Sequence, residues 1–211
     1  LGGDYAKVRG YLTNAQMGFH TDQCDILALA CLHGAKSGGD HRICSSVALH
    51  NEMLRRRPEL VRELAWKFYR SRSGEIPAGE TEPWYRQAIF NFHDGYFAAR
   101  GVSANLAKAQ ALPGVPPFTP AQVEAMDLFR ALAEELAWAV RFEPGDVFFL
   151  NCHVTLHSRT AFEDWPEPER RRHLLRLWLG TGGARPLPPE FQRQAQGIPF
   201  KGRATVAPLG A

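Results

Sequence analysis

Two clusters in the sequence carry side chains able to do chemistry. In FHTD, His20 and Asp22 lie two apart, so an extended backbone projects both to one face, where an imidazole and a carboxylate can share a metal ion. One further imidazole would complete a 2-His-1-carboxylate set, which leaves coordination positions open for a co-substrate and O2. An HxD alone is weak evidence, since either residue can equally satisfy loop hydrogen bonds. The segment LHSRTAFEDWPEPERRRHLLRLWLG strengthens it, because a strand there can carry His157 to the metal. In RRRHLLRLWL, strand alternation places Arg172, Leu174, Arg176 and Trp178 on one face. Guanidiniums among bulky apolar side chains are costly to bury without an anion, and a dicarboxylate held bidentately is a suitable partner. Solvated arginines on a surface strand are the plain alternative. Arg159, two after His157, shares its face and either orients a ligand or co-substrate or makes a salt bridge. His153 stands four before His157, a zinc-chelating spacing on a helix, but VFFLNCHVTLH is apolar and β-branched and reads as strand or bulge.

Turn and cap signals outline the elements that must position these residues. From Ser45, SSVALHNEMLRRRPELVRELAWKFYR has helical spacing and fits two short helices, the second opened by Pro58. SRSGEIPAGETEP, between Ser71 and Pro83, lacks periodicity and is expected to be a loop, a candidate lid. QAIFNFHDGYFAAR reads as a hairpin turning at Asp94-Gly95. Thr119-Pro120 opens a helix expected to run to about Val140, with Gln122 completing a capping box. GDVFFLN and the glycine-closed RRRHLLRLWLG then read as strands, and the Pro/Gly-rich tail from Gly180 as irregular. Tyr11, Asn14 and Phe19 ahead of the HxD, and Phe90, Phe92 and His93 beyond it, are candidate pocket walls, although each is more commonly plain core. His33, His50 and His173 have no constellation around them.

The 211 residues suit one domain with a helical insertion over about 45–140. With 45% hydrophobic and 22% charged residues, the composition is that of a packed globular chain. A net charge of +3 gives no ground for a nucleic-acid partner. No apolar run is long enough to span a bilayer and the start lacks a signal peptide's apolar core, so the expectation is a cytoplasmic protein without a membrane partner. Cys24, Cys31, Cys44 and Cys152 form no CxxC pair and are expected to be reduced, mostly buried thiols. The oligomeric state is open at this level.

These stretches resemble the TauD/TfdA family of 2-oxoglutarate oxygenases, within the clavaminate synthase-like superfamily. The similarity runs from about Tyr11 to Gly180, through YLTNAQMGFHTD, GGDHRICSS, GDVFFLN, HSRTAFED and RRRHLLRLWL. The family order of HxD, distant His and following Arg falls on His20, Asp22, His157 and Arg172. The resemblance implies a mainly β fold with helical insertions, a double-stranded β-helix or jelly roll. It implies Fe(II) at the triad, O2 as oxidant, and 2-oxoglutarate chelating iron through its keto and C1 carboxylate oxygens while Arg172 clamps the C5 carboxylate. Arg176 then matches a position that meets an anionic group of a small-molecule substrate; Asn14, from its place ahead of the HxD, is a further candidate substrate contact. Where the family has Gly-Gly-acid-Thr this chain has GGDH, so His41 takes the place of the co-substrate contact. Family members carry a longer stretch before the HxD, whereas nineteen residues precede His20 here, and the jelly roll is accordingly expected to be incomplete on its N-terminal side. The implied reaction is oxidative decarboxylation of 2-oxoglutarate to succinate, coupled to hydroxylation or a related C–H oxidation. The carboxylate of Asp22 disfavours halogenation. A zinc-dependent jelly-roll hydrolase or isomerase, and a non-catalytic ligand-binding jelly roll, are the competing readings; the first has no need of paired arginines and the second none of a triad.

Overall fold

The computed structural model describes residues 13–74, 76, 79–182 and 185–192. Tyr11 and the tail beyond 192 lie outside them. Strands β1 (Met17–His20), β2 (Ile26–His33), β3 (Ser37–Gly38) and β4 (His41–Ser45) come first. There follow α1 (Ser46–Arg56), α2 (Pro58–Leu64), β5 (Phe68–Ser71), β6 (Trp84–Gln87), β7 (Phe90–His93), β8 (Tyr96–Ala99), α3 (Ala104–Ala109) and α4 (Pro120–Glu135). The chain then returns through β9 (Trp138–Val140), β10 (Val147–Asn151), β11 (Thr155–Arg159), β12 (Phe162–Glu163) and β13 (His173–Leu179) before α5 (Pro189–Gln192).

Two antiparallel sheets, ordered β1-β11-β4-β9 and β10-β2-β13, face each other as a jelly roll. Strand alternation decides what lies between them. Leu27 and Leu29 of β2 turn inward with Leu150, Ile43, Phe148 and Trp178. Leu175, Leu177 and Leu179 of β13, with Val147 and Phe149 of β10, point outward and are exposed. The outer side of the four-stranded sheet is covered by the helices: Phe19, Cys44 and Leu156 pack with Leu49, Met53, Phe129 and Leu132. Full burial of such side chains stabilises by about 1.5–3 kcal/mol each, and the helical block holds more of them than the cluster between the sheets does.

Local signals account for most boundaries. Ser45 caps α1 by accepting from the Ala48 amide, and Thr119 and Gln122 form the expected capping box at α4. Asp94 and Gly95 have φ of 48° and 77°, as the tight turn between β7 and β8 demands. Two expectations are corrected. Helix α4 stops at Glu135 rather than near Val140, because Trp138–Val140 pair with Ile43–His41. Phe68–Ser71 do not continue the helix before them but pair with Trp84–Gln87, so the expected loop is the connection of a hairpin. No described helix is long and apolar enough to cross a membrane, and all four cysteines are free and buried.

Candidate metal centre and anion recess

His20 closes β1 and His157 lies on β11 as its cross-strand partner, which sets their rings 4.3 Å apart on the inner face. Asp22 follows just past the end of β1 and is 6% exposed. One ligand atom from each of His20, Asp22 and His157 lies within 4.8 Å of the others. The surroundings fix their orientation. His20 Nδ1 donates to the Gly18 carbonyl at 2.8 Å, leaving Nε2 with a free lone pair. Asp22 Oδ2 accepts from Trp178 Nε1 at 2.7 Å and from Arg176 Nη1 at 3.4 Å. His157 Nδ1 is buried without a hydrogen-bond partner. Burial, then the charges of His20, His41 and Arg176, hold the His157 pKa well below its ordinary value. Two imidazoles and one carboxylate suit a divalent transition metal such as Fe(II). A Cβ on Gly101 would stand 2.6 Å from His20 Cα, so only glycine lets the segment after β8 lie against this strand.

A second cluster lies farther along the same inner face. His41 on β4 is the cross-strand partner of Arg159 on β11, and Arg172 enters just before β13. Arg172 Nη2 donates to His41 Nε2 at 3.0 Å, which places the His41 proton on Nδ1, and Nδ1 is buried and unpartnered. The His41 ring stacks on Phe142 at 4.6 Å. Burial and then the charges of Arg172 and Arg159 push its pKa down to about 4, so it is neutral at physiological pH. Arg159 and Arg172 lie 4.7 and 5.2 Å from the Phe162 ring centroid. Arg159 donates to the carbonyls of Thr13 and Ala15 while its Nε has no partner. Burial lowers the Arg159 pKa to about 10 and also lowers that of Arg172. Among the described residues neither arginine pairs with a carboxylate through its guanidinium, so the recess is cationic and suited to an anion. A cavity of about 250 Å3 lined by Arg172, Cys31, Gly39 and Leu174 opens beside it.

The structure thus gathers His20, Asp22 and His157 at one point, Arg172, His41 and Arg159 at another, and puts Arg176 against Asp22. Asn14 is exposed and contributes its backbone carbonyl to the Phe162 amide. Phe19 turns into the helical core, as its neighbour His20 faces inward. Phe90 also belongs to that core and Phe92 is exposed, so these proposed walls are not brought to the triad. His153 is bound to Asp25 at 2.8 Å, an acid that also accepts from the Thr181 amide and hydroxyl. Sequence reasoning missed the hydrogen bond of Trp178 to Asp22; its place two residues after Arg176 on the same strand face was the available signal.

A family model described as Taurine catabolism dioxygenase TauD, TfdA family, matches residues 3–178. FR-33289 synthase of Streptomyces rubellomurinus is 35% identical over 216 residues, 96% of this chain and 62% of that protein. Taurine hydroxylase-like protein SAT17 of Stachybotrys chartarum is 31% identical over 182 residues, 80% of this chain and 44% of that protein. The chain therefore spans less than two thirds of either curated relative. Asparagine oxygenase, solved in complex with Fe(II), 2S,3S-3-hydroxyasparagine and succinate, superposes with a TM-score of 0.62 at 20% identity, over 80% of this chain and 51% of that one. This last likeness is one of fold.

Proposed function

We propose, on the premise that this chain belongs to the TauD/TfdA dioxygenase family, that it oxidises a C–H bond of a small anionic molecule while 2-oxoglutarate is decarboxylated to succinate. The observation that carries the reading is the triad of His20, Asp22 and His157 with ligand atoms within 4.8 Å of one another. Fe(II) held there would supply the O2 chemistry. The chain's own part is to bind, orient and exclude water. Gly18 fixes the tautomer of His20, and Trp178 with Arg176 holds one oxygen of Asp22 so that the other faces the metal. Arg172 takes the distal carboxylate of 2-oxoglutarate, with the unpartnered N–H groups of His41 and Arg159 as the remaining donors. Arg176 meets the anionic group of the primary substrate. Leu27, Leu29 and Leu150 keep the interior between the sheets dry, which strengthens each charged contact there. The complexes of asparagine oxygenase with Fe(II) and succinate support the reading by likeness of fold.

Metal analysis, a 2-oxoglutarate titration of the iron-loaded, oxygen-free protein and a succinate-release assay test it. Iron binding, a charge-transfer band on adding 2-oxoglutarate, and succinate formation are expected, and Asp22→Ala and His157→Ala should each abolish all three. Zinc binding without decarboxylation, or His157→Ala retaining iron and turnover while His153→Ala loses them, would refute it.

A further inference from the structure

Two more arginines lie buried near the triad, and the proposed reaction makes no use of them. Arg70 and Arg100 are each 3% exposed. Arg70 sits on β5 opposite Tyr85 of β6, so both face the same way from that hairpin. Its Nη1 donates to the Gly101 carbonyl at 3.2 Å, and Gly101 is the residue that lies against His20. The same nitrogen reaches Ser103 Oγ at 3.4 Å. The Tyr85 hydroxyl accepts from Gln23 Nε2 at 2.9 Å, and Gln23 is the residue directly after Asp22. Arg100 lies 4.2 Å from the Phe191 ring centroid and donates from Nη1 to the Cys152 carbonyl at 3.3 Å. In both arginines Nε and Nη2 are sealed from water and have no partner. Arg100 is near enough to Arg70 to feel its charge; burial and this repulsion outweigh the neighbouring phenol and thiols and bring its pKa down to about 10.

Neither guanidinium is paired with a carboxylate among the described residues, and the two buried acids nearby are already engaged, Asp25 by His153 and Thr181 and Asp22 by Trp178 and Arg176. Each arginine spends one nitrogen on backbone carbonyls, a task that does not require charge. What remains is two like charges, four unmet N–H-bearing nitrogens and a phenol whose own proton is free to be donated. Such an arrangement is unfavourable until an anion enters, because an uncompensated buried charge costs more than its hydrogen bonds return. A planar fork is also the donor geometry that oxyanions accept bidentately.

We propose that Arg70 and Arg100, with the Tyr85 hydroxyl, form an oxyanion site beside the metal that binds an anionic group of the primary substrate, at a point distinct from Arg176 and from the Arg172 recess. The proposal rests on the oxygenase reading for the identity of the bound molecule, whereas the anion site itself does not require iron. Its ligand is a carboxylate, sulfonate or phosphate-type group, and its two positive charges make Arg70 and Arg100 specificity determinants supplied by the insertion rather than by the barrel.

The test uses the whole chain, with and without Fe(II) and 2-oxoglutarate and free of oxygen, in calorimetric titrations and thermal melts against inorganic phosphate, methanesulfonate and acetate. At least one of these anions should bind and raise the melting temperature even without metal, and comparing the three identifies the oxyanion type. Arg70→Met and Arg100→Met should each weaken that binding by about 30-fold or more. Both ligand-free variants should melt no lower than wild type, since a strained charge has been removed. Arg176→Gln, which removes a separate anion contact, should leave the Arg70- and Arg100-dependent part of that binding in place. The proposal fails if no anion stabilises the wild-type protein, if Arg176→Gln rather than Arg70→Met abolishes the effect, or if both methionine variants are markedly destabilised. Failure to bind iron or 2-oxoglutarate would count against the oxygenase reading alone, because the loss of metal-free anion binding in Arg70→Met and Arg100→Met, measured against wild type, reports on the anion site by itself.

Discussion

Replacing Trp178 by Phe removes one hydrogen bond and little else. The indole N–H donates to Asp22 Oδ2 at 2.7 Å, while the ring packs against the cluster of Cys24, Leu27, Leu29, Leu150 and Cys152 that Phe can still fill in large part. A hydrogen bond to an ionised group contributes about 1.5–3 kcal/mol, and removing the outer partner of a metal ligand typically weakens metal binding about 10- to 100-fold. The two ranges agree, since each factor of ten is about 1.4 kcal/mol. Arg176 also reaches this oxygen, but at 3.4 Å and with its side chain 32% exposed, so its share should stay under about 1 kcal/mol. Trp178→Phe is therefore expected to lose 10- to 100-fold in Fe(II) affinity, against less than about fivefold for Arg176→Gln. Competition with a chelator of known affinity under nitrogen measures both. An Fe(II) affinity within twofold of wild type in Trp178→Phe, or a larger loss in Arg176→Gln, would show that the indole does not orient the carboxylate.

Arg172→Gln should weaken 2-oxoglutarate binding by about 30- to several-thousand-fold, the 2–5 kcal/mol range for breaking a buried charge-assisted pair, while Arg176→Gln leaves it nearly intact; the charge-transfer band reads both. His41, neutral in the fold with its pKa at about 4, takes up its proton in the unfolded chain near the ordinary 6.5. Stability should therefore fall as pH drops through that interval, by about 2 kcal/mol between pH 7 and pH 5, and urea melts of His41→Gln should lack that part of the slope. Gly101→Ala forces a methyl group against the backbone of β1, with Phe19 O at 2.9 Å and His20 Cα at 2.6 Å. It should cost about 1–3 kcal/mol or more and lower metal affinity as well, whereas the open position Gly18 should tolerate alanine without either loss.

What could be read in advance follows from the range of the interactions concerned. The capping box at Thr119, the Asp94-Gly95 turn and the alternating faces of β13 are decided by neighbours within a few residues, and the structure has all three. The pairing of His20 with His157 spans the chain, yet the proposed metal set needs a particular third ligand and so left a trace in the sequence. KFYR misled because four residues cannot separate a helical from an alternating pattern, and only the distant WYRQ decides between them. The end of α4 was overrun for a similar reason, since WAV is set by pairing with β4. Phe90 and Phe92 were offered as pocket walls on residue type alone, and aromatic type does not say which of two cores a hairpin faces. Arg70 and Arg100 gave no local signal, because an arginine's lack of a carboxylate partner is a property of the assembled interior.

Asp22 takes part in two jobs at once. Its backbone continues from the edge of one sheet, and its carboxylate is gripped by Trp178 and Arg176 from the edge strand of the other. The carboxylate is thus a stitch across the seam of the sandwich as well as the proposed metal ligand. Loading a metal onto such a group tightens the seam, and slackening the seam loosens the metal, because both act on the same atoms and are linked thermodynamically. On the proposed ligand set, metal content is then also a mechanical variable, and loaded and stripped preparations are expected to differ in the tension of one scaffold, read as a difference in melting temperature.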